Sequence, residues 1–248
     1  MRFRIPLAIA CLILSPSLVF AAPVSLFDGK SFDGWEGNTE TVWRIQDGVI
    51  VGGSLLGNPQ NEFLASTKSY KNFHLRFDYK IVGTEGFVNG GMQFRSKRIT
   101  DPSNEMSGYQ ADIGAGYSGY IYDESRRRKF LAEADQEFVE RLEKTGDWNH
   151  CEVVTTGRQI LVFINGQRTA IWVENEPDIE QSGKIALQIH GNCKAEISFR
   201  NISIDELPDS AVPPQGEILS RFGKAQPGLP LAPFDNRQFE MNENEVIV

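Results

Sequence analysis

Four short segments place hydrogen-bonding side chains at alternate positions: GMQFRS (91–96), GYQADIG (108–114), GYIYDE (119–124) and KIALQIHGN (184–192). Because successive residues of a β-strand face opposite ways, each segment would have one apolar and one polar face. The polar positions are Gln93, Arg95, Gln110, Asp112, Tyr120, Tyr122, Gln188 and His190. Amides, a guanidinium group and aromatic rings bind sugar hydroxyls and stack on pyranose rings, whereas solvated strands favour Thr, Lys, Glu and Ser. The set therefore favours a shared carbohydrate site over an ordinary surface.

Three of the side chains in these segments could carry acid–base chemistry. His190 supplies an imidazole, which titrates near neutral pH, and Asp112 and Glu124 supply carboxyl groups. An ordinary glycosidase needs two carboxyl groups flanking the bond, but Asp112 is the only one on the polar face, with Glu124 at a strand end. A plain retaining hydrolase therefore fits poorly. A structural His190 and a divalent metal on His190 with Asp112 or Glu124 remain alternatives, although no compact ligand spacing predicts a metal.

The elements that would position these residues are short strands separated by Gly, Asn and Asp turns. FHLRFDYKI (73–81) alternates cleanly, and Asn165-Gly166 is a strong hairpin signal. One helix is predicted, capped by Asp135 and with Phe138 and Leu142 on its apolar face. Many short strands at this spacing predict an all-β antiparallel sandwich or barrel.

The two ends of the chain differ from this pattern. Residues 1–21 read as a secretory signal peptide cleaved after Ala21, and their apolar run is too short to span a membrane. We therefore expect an exported protein, in the periplasm, the cell envelope or the medium. Residues 208–248 are rich in Pro and Gly and read as an extended tail or linker. This tail could pack back on the domain or lead to a further domain.

Net charge limits the classes of partner that we expect, and cysteine content limits the possible disulfides. Removing Arg2 and Arg4 with the signal peptide lowers the basic residues from 25 to 23 against 33 acidic ones, so the formal charge moves from −8 to −10. This excess of negative charge disfavours nucleic acid as a partner. Cys151 and Cys193 remain after cleavage, and either a disulfide or two buried thiols would suit an exported protein.

The order of several motifs resembles one known family. The motifs are GMQFR, GYQADIG, GYIYDESRR, GDWN, INGQ, GKIALQIHGN and FRNISI, preceded by VSLFDGKSFDGWEG. In this order they are similar to the DUF1080 family, described as the 3-keto-disaccharide hydrolase domain, and the resemblance covers residues 24–207. It implies a concanavalin-like jelly-roll β-sandwich of two antiparallel sheets with one short helix.

The resemblance also implies an activity on 3-keto-glycosides without a cofactor. A ketone at C3 acidifies the C2 hydrogen, so a base could form an enolate that expels the C1 substituent before water adds back. His190 would be the base, Asp112 and Glu124 would assist it or protonate the leaving oxygen, and an oxidoreductase would supply the keto sugar. The remaining candidates would bind the sugar: Gln93, Arg95, Gln110, Tyr120, Tyr122 and Gln188. A non-catalytic, lectin-like module of a larger envelope protein is the alternative.

Overall fold

The computed structural model describes residues 23–102, 104–114 and 116–211. The predicted signal peptide and residues 212–248 of the predicted tail lie outside this part of the chain. In chain order the elements are β1 (Val24–Ser25), β2 (Trp35–Glu36), β3 (Trp43–Gln46), β4 (Val49–Asn58), β5 (Glu62–Tyr70), β6 (Phe73–Gly86), β7 (Asn89–Arg98), β8 (Met106–Gly114), β9 (Ile121–Glu124), β10 (Phe130–Ala132), α1 (Gln136–Leu142), β11 (Asn149–Thr156), β12 (Gln159–Ile164), β13 (Gln167–Val173), β14 (Gly183–Ile189) and β15 (Cys193–Glu206).

The strands form two antiparallel sheets that pack face to face. The site sheet has the order β10-β9-β8-β7-β14-β5-β2, and the back sheet has the order β13-β12-β11-β6-β15-β4-β3, with β1 paired to β15. The late strands β14 and β15 lie in the middle of their sheets, between strands that come much earlier in the chain. Across the described residues, the predicted fold class, a jelly-roll sandwich with one short helix, is therefore confirmed.

Aromatic side chains fill the space between the sheets. Phe73, Phe77 and Phe199 come from the back sheet, and Phe94 and Tyr109 come from the site sheet. The rings of Phe94 and Tyr109 stack at 5.7 Å between centroids. Burial of each such side chain contributes about 1.5–3 kcal/mol. Because the core takes every second residue of these strands, the residues between them are left for the outer faces of the two sheets.

The helix and the hairpin follow the local sequence signals. The Asp135 carboxylate accepts a hydrogen bond from the Phe138 backbone N–H, which caps α1 as predicted. Asn165 and Gly166 join β12 to β13 with φ angles of 48° and 77°, the left-handed conformation that an Asn-Gly hairpin turn requires.

A bulge in β15 changes which residues of that strand are buried. Asn201 has a φ of 52°, and the pairing with β6 shifts register between Arg200 and Ser203. Phe199 and Ile202 therefore both face the core although they are separated by three positions. In the same sheet, Cys151 and Cys193 are free and buried, so the structure has the two thiols rather than the disulfide.

Candidate functional site

Two rows of residues cross the outer face of the site sheet. The rows are Gln188–Gly91–Asp112 and Ala186–Gln93–Gln110–Tyr122. The alternation of the three central strands thus brings Gln93, Gln110, Asp112 and Gln188 onto one face. All four are buried or nearly so.

A chain of hydrogen bonds runs along this face and ends at Asp112. The Ser96 hydroxyl donates to Gln93 Oε1 at 2.7 Å, and Gln93 Nε2 donates to Gln110 Oε1 at 2.8 Å. Gln110 Nε2 then donates to Asp112 Oδ1 at 3.1 Å. In each amide the oxygen accepts a hydrogen bond from one neighbour and the N–H donates one to the next. The orientation of one side chain therefore determines that of the following one.

Gly91 leaves room for this chain. A Cβ atom at Gly91 would lie 2.7 Å from both Cγ and Cδ of Gln110, closer than such carbon atoms can approach. The Gln110 side chain therefore lies across the neighbouring strand, above the glycine, with its amide directed toward Asp112. A larger residue at position 91 would displace this amide.

Asp112 is a buried carboxyl group, and its side-chain hydrogen-bond partners among the described residues are amides rather than cations. Its side chain is 6% exposed, and Oδ1 also accepts a hydrogen bond from Asn89 Nδ2 at 3.1 Å. Burial raises its pKa to about 7, although the hydrogen bonds from Asn89 and Gln110 act in the opposite direction. Asp112 can therefore both hold and release a proton near neutral pH.

Glu124 supplies a second carboxyl group of the same kind. It lies at the end of β9 and accepts a hydrogen bond from Gln188 Nε2 at 3.1 Å. Burial, and then the charges of Glu105 and Asp112, raise the pKa of Glu124 to about 7. Gln188 Oε1 is buried with no hydrogen-bond partner among the described residues, so this amide has an acceptor still available at the site.

An ion-pair network holds the turn that follows Glu124. Asp123 is fully buried and accepts hydrogen bonds from Arg126 Nε, at 2.8 Å, and from Arg127. Arg127 also donates to Glu174 Oε2 at 2.6 Å. These pairs anchor the turn to the loop after β13 and thereby hold β9 in place.

Glu105 is a third carboxyl group near the site, and alternation did not predict it. It is 8% exposed and accepts hydrogen bonds from Met106 N at 3.2 Å and Asn61 Nδ2 at 3.4 Å. Burial raises its pKa, while the hydrogen bonds from Met106 N and Asn61 act to lower it. Glu105 precedes β8, outside any strand, so the face of its side chain could not follow from parity.

His190 follows β14 and lies at the edge of the site. Its Nδ1 is 2.7 Å from the Gly191 carbonyl oxygen; because a carbonyl only accepts, Nδ1 carries the proton and a neutral imidazole has its lone pair on Nε2. The ring meets Phe87 edge to face at 4.8 Å. The hydrogen-bonded link to Asp112 is indirect: His190 N donates to Asn89 O, and Asn89 Nδ2 donates to Asp112.

The predicted position of Arg95 is wrong. Arg95 has a φ of 47°, and the pairing of β7 with β8 shifts register between Phe94 and Lys97. This bulge turns the buried guanidinium group toward the end of the sheet, where it donates to Lys71 O, Gln181 Oε1 and Asn72 Oδ1. Arg95 thus binds neighbouring loops instead of joining Gln93 on the outer face.

The two predicted tyrosines occupy different places. Tyr122 is the cross-strand neighbour of Gln110, and burial, followed by the charges of Glu124 and Asp112, raises the pKa of its phenol. Tyr120 packs instead against Ala134, Val139 and Ile164. Tyr122 therefore lies with the carboxyl groups, whereas Tyr120 faces α1 because it precedes β9 and leaves the row.

Within the described ranges, no group of three or more His, Cys, Asp or Glu side chains has an arrangement that could hold a metal ion. In the same part of the chain, no helix has the length and apolar character needed to cross a membrane.

Comparison with known proteins identifies related chains. A family model described as a 3-keto-alpha-glucoside-1,2-lyase-like domain matches residues 22–205. A curated protein from Bacteroides thetaiotaomicron, named 3-keto-disaccharide hydrolase, is 21% identical over 204 residues, which cover 70% of this chain and 69% of that protein.

Solved structures show the same fold. A protein from Parabacteroides distasonis, provisionally described as a glycosyl hydrolase, has a TM-score of 0.56 at 20% identity and covers 74% of this chain and 93% of its own. The carbohydrate-binding module CBM66 from Bacillus subtilis has a TM-score of 0.54 at 17% identity, with 70% and 96% covered. At these identities the likeness supports the jelly-roll architecture alone.

Proposed function

The chain belongs to the family of 3-keto-alpha-glucoside-1,2-lyase-like domains, and on that premise we propose that it cleaves 3-keto-glycosides by elimination followed by hydration. The observation that carries the proposal is the pair of carboxyl groups on the outer face of the site sheet. Asp112 is buried and Glu124 is half-buried, both accept hydrogen bonds from side-chain amides, and each has a pKa raised to about 7. Groups that exchange protons near neutral pH suit general acid–base catalysis.

The elimination requires two proton transfers and one broken C–O bond. A base takes the proton from C2, next to the C3 ketone, and the electrons form an enolate. The enolate re-forms the ketone as the C1–O bond breaks, and the leaving oxygen takes a proton from an acid. Water then adds across C1 and C2, with its hydroxyl at C1 and a proton at C2, so that the balance is hydrolysis.

We assign the base to His190 and the acid to the carboxyl pair. The neutral imidazole of His190 has its lone pair on Nε2, because Nδ1 donates to the Gly191 carbonyl. Glu124 is the first candidate for protonating the leaving oxygen because it retains a proton near neutral pH. Asp112 would share this role, since its carboxyl group makes no direct hydrogen bond to His190. Gln188, Gln110 and Tyr122 would bind the sugar hydroxyls and the enolate oxygen.

The proposed place of this reaction is outside the cytoplasm. The signal-peptide pattern of residues 1–21 supports export, and the acidic composition does not favour a nucleic-acid partner. Because the substrate carries a ketone at C3, an oxidoreductase that oxidises the C3 hydroxyl must act before this protein. We propose no metal or organic cofactor for the cleavage step.

Incubation with oxidised and unoxidised sugars tests the activity. The protein should cleave 3-keto-trehalose or 3-keto-sucrose and should leave trehalose and sucrose intact, with the released sugars measured by chromatography. Cleavage of the unoxidised sugars at a similar rate would contradict the keto-sugar mechanism.

The His190→Ala variant tests the assignment of the base. We expect turnover of 3-keto-trehalose to fall about 10²- to 10⁴-fold, while His150→Ala keeps the wild-type rate. His150 is a suitable control because it lies in β11 of the back sheet and pairs with Asp78. Unchanged turnover in His190→Ala would remove this residue from the mechanism and transfer the role of base to a carboxyl group.

A carbohydrate-binding module without catalysis is the second candidate. The buried chain of amides favours it, because oriented amides on a sheet face can bind sugar hydroxyls without any proton transfer. Saturable binding of the same sugars without release of products would support this module over the enzyme.

A further inference from the structure

A row of aromatic rings borders the candidate site. Of these rings, strand alternation in the sequence selects Tyr122 alone. The Phe130 ring lies 5.2 Å from Tyr117 in a stacked arrangement and 5.1 Å from Tyr122. Tyr117 in turn meets Phe87 at 5.7 Å, and Phe87 meets His190 at 4.8 Å. We call the four rings of Phe87, Tyr117, Tyr122 and Phe130 the aromatic wall.

Two rings of the aromatic wall are exposed although they have no polar atom. Phe87 is 39% exposed and Phe130 is 37% exposed. Among the described residues, the other large hydrophobic side chains with this degree of exposure are Val24, Leu55 and Leu56. Scattered exposed residues are ordinary, but contiguous exposed rings mark a surface that binds something apolar.

Both ends of the wall reach the groups proposed for catalysis. Tyr122 is close enough to Glu124 and Asp112 for their charges, after burial, to raise the pKa of its phenol. At the other end, the Phe87 ring contacts the imidazole of His190, the proposed base, at 4.8 Å between centroids. The aromatic wall therefore runs beside the carboxyl groups from one side of the site to the other.

The wall is braced from behind by the region around α1. Tyr120 contacts Phe130 at 5.1 Å and Tyr117 at 5.7 Å, and it packs on Val139 of the helix and on Ile164. The rings of Tyr117 and Phe130 are thus held in position by the fold, so a ligand would not have to order them when it binds.

We propose that the aromatic wall binds the leaving-group ring of the substrate and makes the site prefer glycosides whose C1 substituent is cyclic. The shared chemistry is a ring with an apolar face, which is either the C–H face of a second sugar or a phenyl group. This inference rests on the proposed function, because it assigns the wall to one side of the bond that is cleaved. Stacked rings can supply such contacts without hydrogen bonds.

Kinetics with three substrates test the proposal. The substrates are methyl 3-ketoglucoside, phenyl 3-ketoglucoside and 3-keto-trehalose. In Phe130→Ala, KM for the two substrates with a ring should rise about 3- to 10-fold, while KM for the methyl glycoside changes less than about 2-fold. Comparison of the phenyl glycoside with 3-keto-trehalose shows which kind of ring the wall favours. An equal rise for all three substrates would overturn the proposal.

Further variants separate binding from folding. Phe87→Leu and Phe130→Leu keep an apolar side chain and should give the same selective rise in KM, with Tm within a few degrees of wild type. Val24→Ala is the matched control, because Val24 is 59% exposed and pairs with β15 of the back sheet; it should change no constant. A selective rise in this control would also contradict the assignment.

Calorimetric measurement of ligand binding tests the aromatic wall separately from the proposed catalytic activity. If the wild-type protein cleaves no 3-keto-glycoside, the proposed function fails, and binding of phenyl and methyl glucoside then tests the wall alone. Tighter binding of phenyl glucoside that disappears in Phe130→Ala would support the wall. Equal binding of the two ligands by the wild-type protein, or binding of neither, would overturn it.

Discussion

The outer faces of the two sheets both bury carboxyl groups but give them different partners. On the back sheet, Glu152 lies 2.7 Å from His74, and Asp78 lies 2.8 Å from His150. Burial alone would raise the pKa of Asp78, but hydrogen bonds from His150 and Asn201 bring it below its ordinary value. On the site sheet, Asp112 and Glu124 accept hydrogen bonds from amides.

This difference shows how one fold obtains two kinds of carboxyl group. A basic side chain stabilises the charged form of its acidic neighbour, so that Asp78 stays ionised and has a structural role. An amide donor only partly offsets the loss of water, so burial raises the pKa of Asp112 and Glu124 to about 7. A basic partner together with shallower burial keeps Asp78 charged, whereas deep burial among amides leaves Asp112 able to exchange protons.

The outer faces of the two sheets should differ most in their effect on kcat. Asp112→Asn retains an oxygen that accepts from Asn89 and Gln110 but cannot exchange a proton, so kcat on 3-keto-trehalose should fall about 10²- to 10⁴-fold. Asp78→Asn on the back sheet should retain wild-type kcat and lose stability instead. Steady-state kinetics and thermal unfolding of both variants make the comparison. Similar kcat values in the two variants would remove the catalytic distinction between the faces.

The second contrast is the pH dependence of stability. Folding raises the pKa values of Asp112 and Glu124 from 3.8 and 4.5 to about 7, so between these values the folded chain holds protons that the unfolded chain has lost. The resulting stabilisation is complete below about pH 4 and is lost as the pH rises through about 7, with a change on the order of 1–4 kcal/mol in the free energy of unfolding. Asp78 has a lowered pKa, so its stabilisation is present above the ordinary value and is lost at lower pH.

Urea unfolding between pH 4 and pH 8 measures this effect. The double variant Asp112→Asn, Glu124→Gln should flatten the decline seen in the wild-type protein, because neither new side chain titrates. Asp78→Asn should leave the decline in place. A wild-type profile that is flat over this range would contradict the raised pKa values.

The third contrast concerns removal of one partner on the back sheet. Glu152→Gln weakens the contact with the fully buried His74 and should lower the free energy of unfolding by about 1–3 kcal/mol, with kcat unchanged. Calorimetric unfolding together with steady-state kinetics would detect both parts of this result. A fall in kcat without a loss of stability would mean that the back sheet takes part in catalysis.

The smallest contrast tests the amide chain. Gln93→Leu removes the donor to Gln110 and the acceptor for Ser96, so kcat should fall about 2- to 10-fold, as expected for one neutral hydrogen bond of about 0.5–1.5 kcal/mol. Gln167→Leu, at a buried glutamine of β13, is the matched control and should leave kcat unchanged. Equal kcat values for the two variants would show that the amide chain does not orient Asp112 for catalysis.

Much of the fold could be predicted from the sequence because alternation and turn residues act locally. Asn165-Gly166 and the cap at Asp135 depend on neighbouring residues, and both predictions are confirmed. Alternation also predicted the common face of Gln110 and Asp112, because β8 remains regular between these residues.

The remaining parts of the site depend on irregular backbone. Arg95 leaves its predicted face at a bulge, and no Gly or Asn lies at or next to this position to indicate the irregular backbone. Glu105 joins the site from a loop, and Tyr120 leaves it just before β9. Asp123 pairs with Arg126 and Arg127 of the following turn, and Arg127 also pairs with the distant Glu174. These contacts join segments far apart in sequence, and no local periodicity encodes them.

The chain of amides that orients Asp112 cannot conduct protons to it. Side-chain amides donate and accept hydrogen bonds, but they have no second protonation state near neutral pH. A proton therefore cannot travel from Ser96 through Gln93 and Gln110 to the carboxyl group, although the hydrogen bonds are continuous. Any proton that Asp112 gains or loses must enter from the open side of the sheet, where a substrate would lie.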